Sequence, residues 1–467
     1  MCGIAWGPLI QLSPDSAIYA TTPSIALTGD TVHVTWGGSR LRFPYVRSTD
    51  GGQTFEPMRE IAPDSVGDVD GWCFLLSSEK RLHAFFEATR PGDSVDLSYH
   101  MFSDDRGTTW SVPYRFPDTN AFYQGVALGD TVAYISTRPS DWNYRITLST
   151  NGGITWKTTR YSFAAAGMAI ALTPGTIHLA KGYSFDSAGF FNEFVAQYRK
   201  STDLGETWTD SIPLSTVNFT YIATPFICAD GFGDSEKILA VWRDEKYGCL
   251  TATGCSSIGR MSTDNGNTFQ PEVLFDNVPA ADPPFAAIHK NIMAVAWSNN
   301  TYGSGSTLIN VSIDGGRHWC TPFDVCDTSG NEAVAISDNA VHIVTKRVEI
   351  IDSLWHAKFP LIYRRGVLQP TGVKENPQKP NSFFLGQNYP DPFNPATKIS
   401  YGVSKRSYVR LQIFNVLGQL VQTLVDGEME PGNFTVPWDA GNVPSGVYFY
   451  RIVAGSFVET KKMVVIR

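Results

Sequence analysis

The sequence predicts an all-β protein built from repeated units, followed by a second all-β domain. A short pattern, Ser-x-Asp-x-Gly-x-Thr-aromatic, occurs six times in the first three quarters of the 467 residues. Recurrence of one pattern about every 53 residues is typical of an array of like structural units. Charged residues make up only 18% of the chain, aromatic residues 13%, and Gly occurs 41 times. This composition favours strands and turns over long helices, and no window has sustained helical periodicity.

Each copy of the pattern predicts a tight turn between two strands. The short Asp carboxylate can accept hydrogen bonds from backbone N–H groups one or two residues further on, and the Gly takes a positive φ without a steric clash. The final aromatic side chain is then placed to pack against the neighbouring unit. In the sixth copy His318 replaces Thr, which predicts a looser turn. The copies are residues 48–55, 103–110, 149–156, 201–208, 262–269 and 312–319, with their acceptors at Asp50, Asp105, Asn151, Asp203, Asp264 and Asp314.

This pattern is the Asp box, and the chain resembles the Asp-box (bacterial neuraminidase repeat) β-propellers, whose superfamily includes the sialidases. Six boxes alone give six blades, the number in a sialidase. The segments between the boxes predict seven blades instead. Residues 333–345 and 359–364 supply three more strands without a box, and residues 3–10 resemble the missing second half of one. An N-terminal strand that closes the seventh blade leaves no free sheet edge between the first blade and the last.

The last quarter of the chain predicts a linker and a second domain. Residues 366–384 combine Pro, Lys, Asn and Gly with few apolar residues, as linkers do. Residues 385–467 resemble the type A sorting domain of the type IX secretion system, in motifs at 388–395, 414–419, 438–439, 445–448 and 461–463. The resemblance implies an immunoglobulin-like sandwich and the type IX secretion machinery as a partner. A sandwich module appended for stability is the alternative. The predicted domains are therefore 1–365 and 385–467, joined by the linker 366–384.

The same resemblance implies that the protein is secreted or displayed on the outer surface of a Gram-negative bacterium. No apolar run approaches the roughly 20 residues of a membrane span. The first residues lack the basic start and apolar core of a signal peptide, so none is expected in this chain. A net charge of -8 argues against nucleic acid as a partner. No cofactor and no metal site are expected.

The seven cysteines leave the pairing open. Cys249 and Cys255, and likewise Cys320 and Cys326, are close enough in sequence to form local disulfides in an oxidising compartment. Buried free thiols are the alternative for both pairs. Cys2, Cys73 and Cys228 have no obvious partner.

The resemblance places ligands at the end of the propeller opposite the boxes, on the loops between second and third strands and on the loops that join blades. Basic side chains such as Lys181 recur in these second-to-third loops, and clustered arginines bind carboxylates through bidentate hydrogen bonds. Solvated charges paired with neighbouring acids, as Arg243 with Asp244, are the alternative. The candidate ligand-binding residues are Arg40, Arg90, Arg138, Trp142, Arg243, Arg347 and Tyr123.

These features favour a secreted or cell-surface propeller that binds a glycan or another extracellular polymer. The first alternative is a glycoside hydrolase of the sialidase superfamily, similar to an exo-sialidase. Two carboxylates acting across a cleft would perform that reaction, and Glu87, Asp70 and Asp244 are candidates by position. The Phe-Arg-Ile-Pro segment of sialidases is absent and no Tyr–Glu nucleophile pair is assigned, so no catalytic set is carried over. The second alternative is a structural adhesin.

Overall fold

The structure is a computed structural model of the chain, which divides into two compact units, Met1–Gln369 and Pro370–Arg467. Both units are antiparallel β-structure, and the only helix within the described ranges is the 3-10 turn Asp64–Val66. Most of the predicted linker, residues 370–382, lies outside those ranges. The described residues are 3–14, 21–37, 43–67, 69, 73–78, 81–89, 97–117, 121–137, 144–160, 167–182, 184–185, 191–193, 195–215, 225–230, 236–244, 256–275, 284–298, 305–327, 329–350, 357–369, 383–388, 391–429, 432–441, 443–455 and 457–466.

The described part of the first unit contains seven sheets of consecutive antiparallel strands, numbered here in chain order. Sheet 1 consists of Thr21–Thr28, Thr31–Gly37, Pro44–Ser48 and Arg59–Glu60. Sheet 2 consists of Cys73–Ser77, Leu82–Ala88, Leu97–Ser103 and Tyr114–Arg115. Sheet 3 consists of Ala121–Leu128, Thr131–Thr137, Tyr144–Ser149 and Lys157–Arg160. Sheet 4 consists of Gly167–Thr173, Thr176–Gly182, Gln197–Ser201 and Ile212–Pro213. Sheet 5 consists of Phe226–Asp230, Lys237–Asp244, Ser256–Ser262 and Val273–Leu274. Sheet 6 consists of Phe285–His289, Ile292–Ser298, Thr307–Ser312 and Phe323–Cys326. Sheet 7 contains Ser329–Ile336, Ala340–Arg347 and Leu361–Leu368, together with Ile4–Trp6 and Ile10–Gln11. Two short ribbons pair Ser184–Phe185 with Phe191–Glu193 and Glu349–Ile350 with Ala357–Lys358.

Sheet 7 joins the two ends of the first unit. Strands Ile4–Trp6 and Ile10–Gln11 both pair with Leu361–Leu368, which is the pairing that residues 3–10 predict. The backbone N–H of Gly7 donates to the carbonyl of Arg365 at 2.9 Å, as the residue after each box aromatic does in its own sheet. Trp6 therefore occupies the position of a box aromatic. Because Leu361–Leu368 extends to Leu368, the predicted linker begins inside this strand.

The seven sheets follow one another around a closed ring. The first strand of each sheet lies against the first strand of the next, and the first strand of sheet 7 lies against that of sheet 1. A ring of four-stranded antiparallel sheets with their first strands innermost is consistent with the blades of a propeller.

The boxes share one hydrogen-bond network, described here for the first copy. The Ser48 hydroxyl donates to Asp50 at 2.6 Å and accepts from the N–H of Gly52 at 2.8 Å. Asp50 in turn accepts from the N–H of Gln53 at 2.9 Å and from the N–H and hydroxyl of Thr54 at 3.0 and 2.6 Å. The carboxylate thus reaches three and four residues along the chain. The predicted reach of one or two residues is wrong, because the N–H of Gly51 donates to the carbonyl of Asp30 and the N–H of Gly52 donates to the Ser48 hydroxyl.

The variant sixth box keeps the same network. The N–H of His318 donates to Asp314 at 3.0 Å, and its Nδ1 lies 2.6 Å from the second carboxylate oxygen. The imidazole nitrogen replaces the threonine hydroxyl, so the expectation of a looser turn is wrong. In typical boxes these donors also lower the pKa of the carboxyl. The N–H and the hydroxyl of Thr109 hold the pKa of Asp105 at about 2.

Each box aromatic packs against the preceding sheet. Phe55 of the first box meets Tyr363 of sheet 7 edge to face, with ring centroids 4.8 Å apart. Trp110 of the second box meets Tyr45 of sheet 1 in the same way at 5.7 Å. The predicted packing of the aromatic side chain on a neighbouring unit is confirmed. The box glycine beside it has a second role, because a Cβ on Gly52 would lie 1.8 Å from the Tyr363 hydroxyl.

A buried Thr/Ser–His–Tyr chain supports three of these contacts. In sheet 1, Thr28 lies 2.6 Å from Nε2 of His33, and Nδ1 of His33 lies 2.7 Å from the Tyr45 hydroxyl. Equivalent chains in sheets 4 and 7 place His178 by Tyr198 and His342 by Tyr363, at 2.7 and 2.8 Å. Burial lowers the pKa of each of these three histidines to about 3. They are therefore neutral hydrogen-bonding groups of the core.

The second unit consists of two antiparallel sheets around one core. One sheet contains Phe384–Leu385, Ala396–Val403 and Gly432–Asp439; the other contains, in spatial order, Leu420–Met429, Ser407–Phe414, Gly446–Ala454 and Phe457–Val465. Apolar residues alternate along these strands, so every second side chain enters the core. That core includes Ile399, Leu411, Trp438 and Tyr450.

The structure decides one of the pairings that the sequence leaves open. Cys320 is disulfide-bonded, whereas Cys326 carries a thiol whose pKa burial raises to about 11. The two therefore do not pair with each other. Cys73 and Cys228 are also thiols, so the partner of Cys320 lies outside the described residues, as does the predicted pair of Cys249 and Cys255.

Candidate functional site

The boxes mark one end of the sheets. In sheet 3, the N–H of Gly152 in the box donates to the carbonyl of Asp130, which lies in the turn between the first and second strands, at 2.8 Å. The second and third strands pair as far as Thr137 and Tyr144, so the connection between them lies at the opposite end. We call these the box end and the far end. The candidate ligand-binding residues come from connections at the far end.

Several candidate residues lie outside what the structure describes. They are Arg40, Asp70, Arg90, Arg138 and Trp142, and the side chains of Tyr123 and Asp244. The described candidates are Glu87, Arg243 and Arg347. All three belong to second strands and not to the loops predicted for them, because these strands extend to the far end.

Glu87 is a buried carboxylate that connects two sheets. Its side chain is 7% exposed, and Oε1 accepts a hydrogen bond from the N–H of Phe122 at 2.7 Å. Glu87 is next to last in the second strand of sheet 2, whereas Phe122 is the second residue of the first strand of sheet 3. Burial of a carboxylate requires such partners, and a backbone donor to a charged oxygen is a strong one. The Glu87 side chain is therefore held in a defined position at the far end.

Three buried cations share the far end with Glu87. Arg243 and Lys181 lie next to the last residue of the second strands of sheets 5 and 4, and are 8% and 7% exposed. Arg145, second in the third strand of sheet 3, is 2% exposed. Arg145 was not among the predicted residues. It belongs to a strand whose six residues are all buried, and no local pattern in the sequence marks it.

Arg347 fits the alternative interpretation of the far-end charges. Its guanidinium forms ion pairs with Asp327 and Glu349, each at 3.6 Å. These neighbouring acids neutralise its charge locally.

Glu332 is a second buried carboxylate, which the sequence analysis missed. It is 2% exposed and accepts a hydrogen bond from the Thr307 hydroxyl at 3.0 Å. The register of its strand shifts between Gly330 and Glu332, and such bulges re-aim side chains. Glu332 also lines a cavity of about 270 Å³ between the first strands of several sheets, whose wall is otherwise largely apolar.

A cavity of about 460 Å³ lies at the box end, among the turns between first and second strands. Four of its charged side chains are paired, Arg81 with Asp104 and His289 with Asp338. Arg81 donates to Asp104 at 2.7 Å, and Asp338 lies within 2.6 Å of both His289 and Lys290. We therefore place the candidate site at the far end. Among the described residues no group of His, Cys, Asp or Glu could hold a metal ion, and no helix is long and apolar enough to span a membrane.

Comparison with protein families identifies the second unit. Residues 387–466 match the model of the secretion system C-terminal sorting domain. The C-terminal unit is a sorting domain. The match confirms the predicted type IX sorting domain and indicates export of the chain to the cell surface or beyond it.

The chain resembles several solved structures at low sequence identity. Phage phi92 endosialidase is 12% identical, with a TM-score of 0.44 over 78% of this chain and 69% of that one. A PL25 ulvan lyase is 11% identical, with a TM-score of 0.48 over 77% and 94%. A mutant Trypanosoma rangeli sialidase is 11% identical, with a TM-score of 0.41 over 95% and 83%. No curated protein matches the chain. Likenesses at this level assign no activity.

The motifs of the sorting domain mainly build its frame. The Asn388 N–H donates to the Tyr450 hydroxyl at 2.9 Å, and that hydroxyl donates to the carbonyl of Gly386 at 2.9 Å. Asp391 accepts from the N–H of Val464 at 2.7 Å. Residues 389–390 of the first motif lie outside the described residues. These contacts tie the first motif to the last strands of the sorting domain.

Proposed function

We propose that the first unit is a seven-bladed β-propeller and the sorting domain an immunoglobulin-like sandwich, joined in the segment 366–384. The ring of seven sheets in the described residues supports the first assignment. The pairing of Ile4–Trp6 with the last strand supports closure of the seventh blade by the N-terminal strand. A three-stranded sheet and a four-stranded sheet around one core with a buried Trp438 support the second assignment.

We further propose that the exported propeller binds an acidic glycan or a similar extracellular polymer at its far end. The observation that carries this proposal is the burial of Arg145, Lys181 and Arg243 at that end of three neighbouring sheets. Cations held out of water form strong charge-assisted hydrogen bonds with carboxylates. Export would bring the propeller to the outside of the cell, where such polymers occur.

A glycoside hydrolase similar to an exo-sialidase is the second candidate. It is favoured by two buried carboxylates, Glu87 and Glu332, because carboxyl groups perform the acid–base and nucleophilic steps at glycosidic bonds. The oriented Glu87 is the stronger candidate of the two, since its hydrogen bond to Phe122 positions one oxygen.

Binding and turnover by the purified full chain distinguish the two functions. An array of sialylated, uronate-containing and neutral glycans measures binding, and fluorogenic sialosides and glucans measure hydrolysis. We expect retention of acidic glycans without release of the fluorophore. Turnover that Glu87→Gln abolishes would establish the hydrolase instead. Failure to bind any glycan, together with failure to turn over any substrate, would overturn both proposals.

A further inference from the structure

An apolar patch lies at one end of the outer face of the four-stranded sheet in the sorting domain. Leu411, Ile413, Tyr448, Tyr450 and Met463 point into the core, so the alternate residues point outward. At this end the outward residues and the adjoining turn are mostly apolar. We call them the motif patch, which consists of Phe414, Val416, Leu417, Leu420, Val447, Phe449 and Val464, with Lys462 at its edge.

Cross-strand register joins these residues into one surface. Phe414 is opposite Leu420 on one side and Phe449 on the other, and Phe449 is opposite Lys462 on the edge strand. Val447 is likewise opposite Val464. Directly opposed side chains on one face have Cβ atoms about 5 Å apart and touch. The row therefore crosses all four strands of the sheet.

The turn beside this row presents two of the most exposed apolar side chains described in the chain. Val416 is 66% exposed and Leu417 is 78% exposed. The turn is rigid, because the side-chain oxygen of Asn415 accepts from the N–H groups of Leu417 and Gln419, each at 3.0 Å. Gly418 closes it with a φ of +75°. The turn therefore holds both apolar side chains in solvent in a fixed orientation.

A row of polar residues crosses the same face next to the patch and consists of Thr423, Gln412, Arg451 and Thr460. Arg410 donates to Asp426 at 2.9 Å, and Gln412 donates to Thr423 at 3.1 Å. The motif patch is thus bounded, and it collects residues from three separate sequence motifs. The inward residues of those motifs build the core of the domain. Packing of that core does not explain why the outward residues of the same motifs are apolar. Contiguous exposed apolar residues with a polar border are typical of interaction surfaces.

We infer that the motif patch is the surface by which this chain docks on the secretion machinery. The inference rests on the sorting-domain match and is independent of the proposed glycan binding. The family match assigns this domain a role in sorting the chain for secretion. The partner that covers the patch is therefore a component of the export machinery. Its complementary surface is an apolar depression that receives Leu417 and the Phe414 row, with a carboxylate opposite the exposed Lys462.

The test measures export of the full chain, produced behind a cleavable leader peptide in a Gram-negative bacterium that has the type IX machinery. Leu417→Asp places a charge in the patch, whereas the control Val458→Asp changes a 49% exposed residue at the other end of the same face. We expect Leu417→Asp to reduce the extracellular and surface-bound fraction at least tenfold and Val458→Asp to change it less than twofold. Lys462→Glu lowers export and Lys462→Arg preserves it.

Both purified variants should unfold at the same temperature as the wild type, which shows that a loss of export is not caused by misfolding. Wild-type export of Leu417→Asp, or equal loss in Val458→Asp, overturns the inference. Dissociation of a dimer by Leu417→Asp with export unchanged also overturns it, because the patch would then be a contact between copies. Glycan binding by the purified Leu417→Asp variant stays at the wild-type level, so the outcome is separate from that of the proposed function.

Discussion

Phe55 and Tyr363 pack edge to face with their ring centroids 4.8 Å apart, although they lie near opposite ends of the first unit in sequence. Phe55 closes the first Asp box, and Tyr363 belongs to the last long strand of sheet 7. The contact joins sheets 7 and 1, and Trp110 and Tyr45 form the same edge-to-face contact between sheets 1 and 2. The junction between the first and last sheets is therefore built like the junctions within the ring.

Truncation of this contact should weaken the whole first unit. Phe55→Ala removes a half-buried ring at the junction, and we expect it to cost about 2 kcal/mol. Val112→Ala is the control, since Val112 is 88% exposed and its change should cost less than about 0.5 kcal/mol. Denaturant unfolding of both variants measures the difference. Equal unfolding midpoints would show that the junction contributes nothing.

The close approach at the box glycine predicts a contrast between two glycines of sheet 1. Gly52 and Gly29 both have positive φ, +86° and +61°, but a Cβ on Gly52 would lie 1.8 Å from the Tyr363 hydroxyl while Gly29 has nothing within 4 Å. Gly29→Ala should cost about 1 kcal/mol for backbone strain alone. Gly52→Ala should cost at least about 3 kcal/mol, because the tyrosine must also move. Similar losses in thermal stability for the two variants would contradict this packing.

The buried histidines predict that acid destabilises the first unit. His33, His83, His178 and His342 have pKa values near 3 in the folded state because burial disfavours their charged form. The unfolded chain takes up these protons near pH 6.5. The stability that they contribute is therefore complete above pH 6.5 and is lost as the pH falls toward 3, by up to about 1.4 kcal/mol per pH unit for each histidine.

Urea unfolding midpoints at pH 7, 5.5 and 4.5 measure this dependence. A midpoint that is constant over this range would mean that the histidines are accessible to protons in the folded state. The box carboxyls add a further loss below pH 4, since the pKa of Asp105 is about 2.

The disulfide of Cys320 has a predictable partner. Cys320 belongs to the same apolar cluster as Ile4 and Trp6, and Trp6 stacks on Phe323 with centroids 4.8 Å apart. In the sequence Cys2 precedes Ile4 by two residues, which is the spacing at which side chains of an extended segment share one face. We therefore predict a bond between Cys2 and Cys320, and non-reducing peptide mapping should recover these two peptides linked. Recovery of Cys320 linked to Cys249 or Cys255 would refute it.

Local chemistry made much of the fold predictable. Each box turn depends on residues within eight positions, so the six turns, their positive-φ glycines and the packing of the aromatic side chains follow from the sequence. The return of residues 3–10 to the last sheet follows from the same pattern. The His33–Tyr45 hydrogen bond does not, because neither residue belongs to a box and the contact depends on the pairing of two strands.

The candidate site was less predictable because burial depends on neighbouring sheets. Glu87 and Arg243 were assigned to loops, yet their strands extend further and cover both side chains. Arg145 and Glu332 carry no local signal, since each is a single charge inside an otherwise ordinary strand. The pairing of Cys320 involves a residue distant in sequence, which spacing alone cannot reveal.

The most direct test of the central claim, that acidic glycans bind at the far end, is calorimetric titration of the full chain with an acidic glycan selected from the array. Arg243→Gln should weaken binding about tenfold to a hundredfold, the loss expected for one charge-assisted hydrogen bond. Lys157→Gln removes a 69% exposed cation at the box end and should change the affinity less than twofold, with thermal unfolding confirming that both variants fold. Equal affinity in Arg243→Gln and wild type, or equal weakening by Lys157→Gln, would contradict the claim.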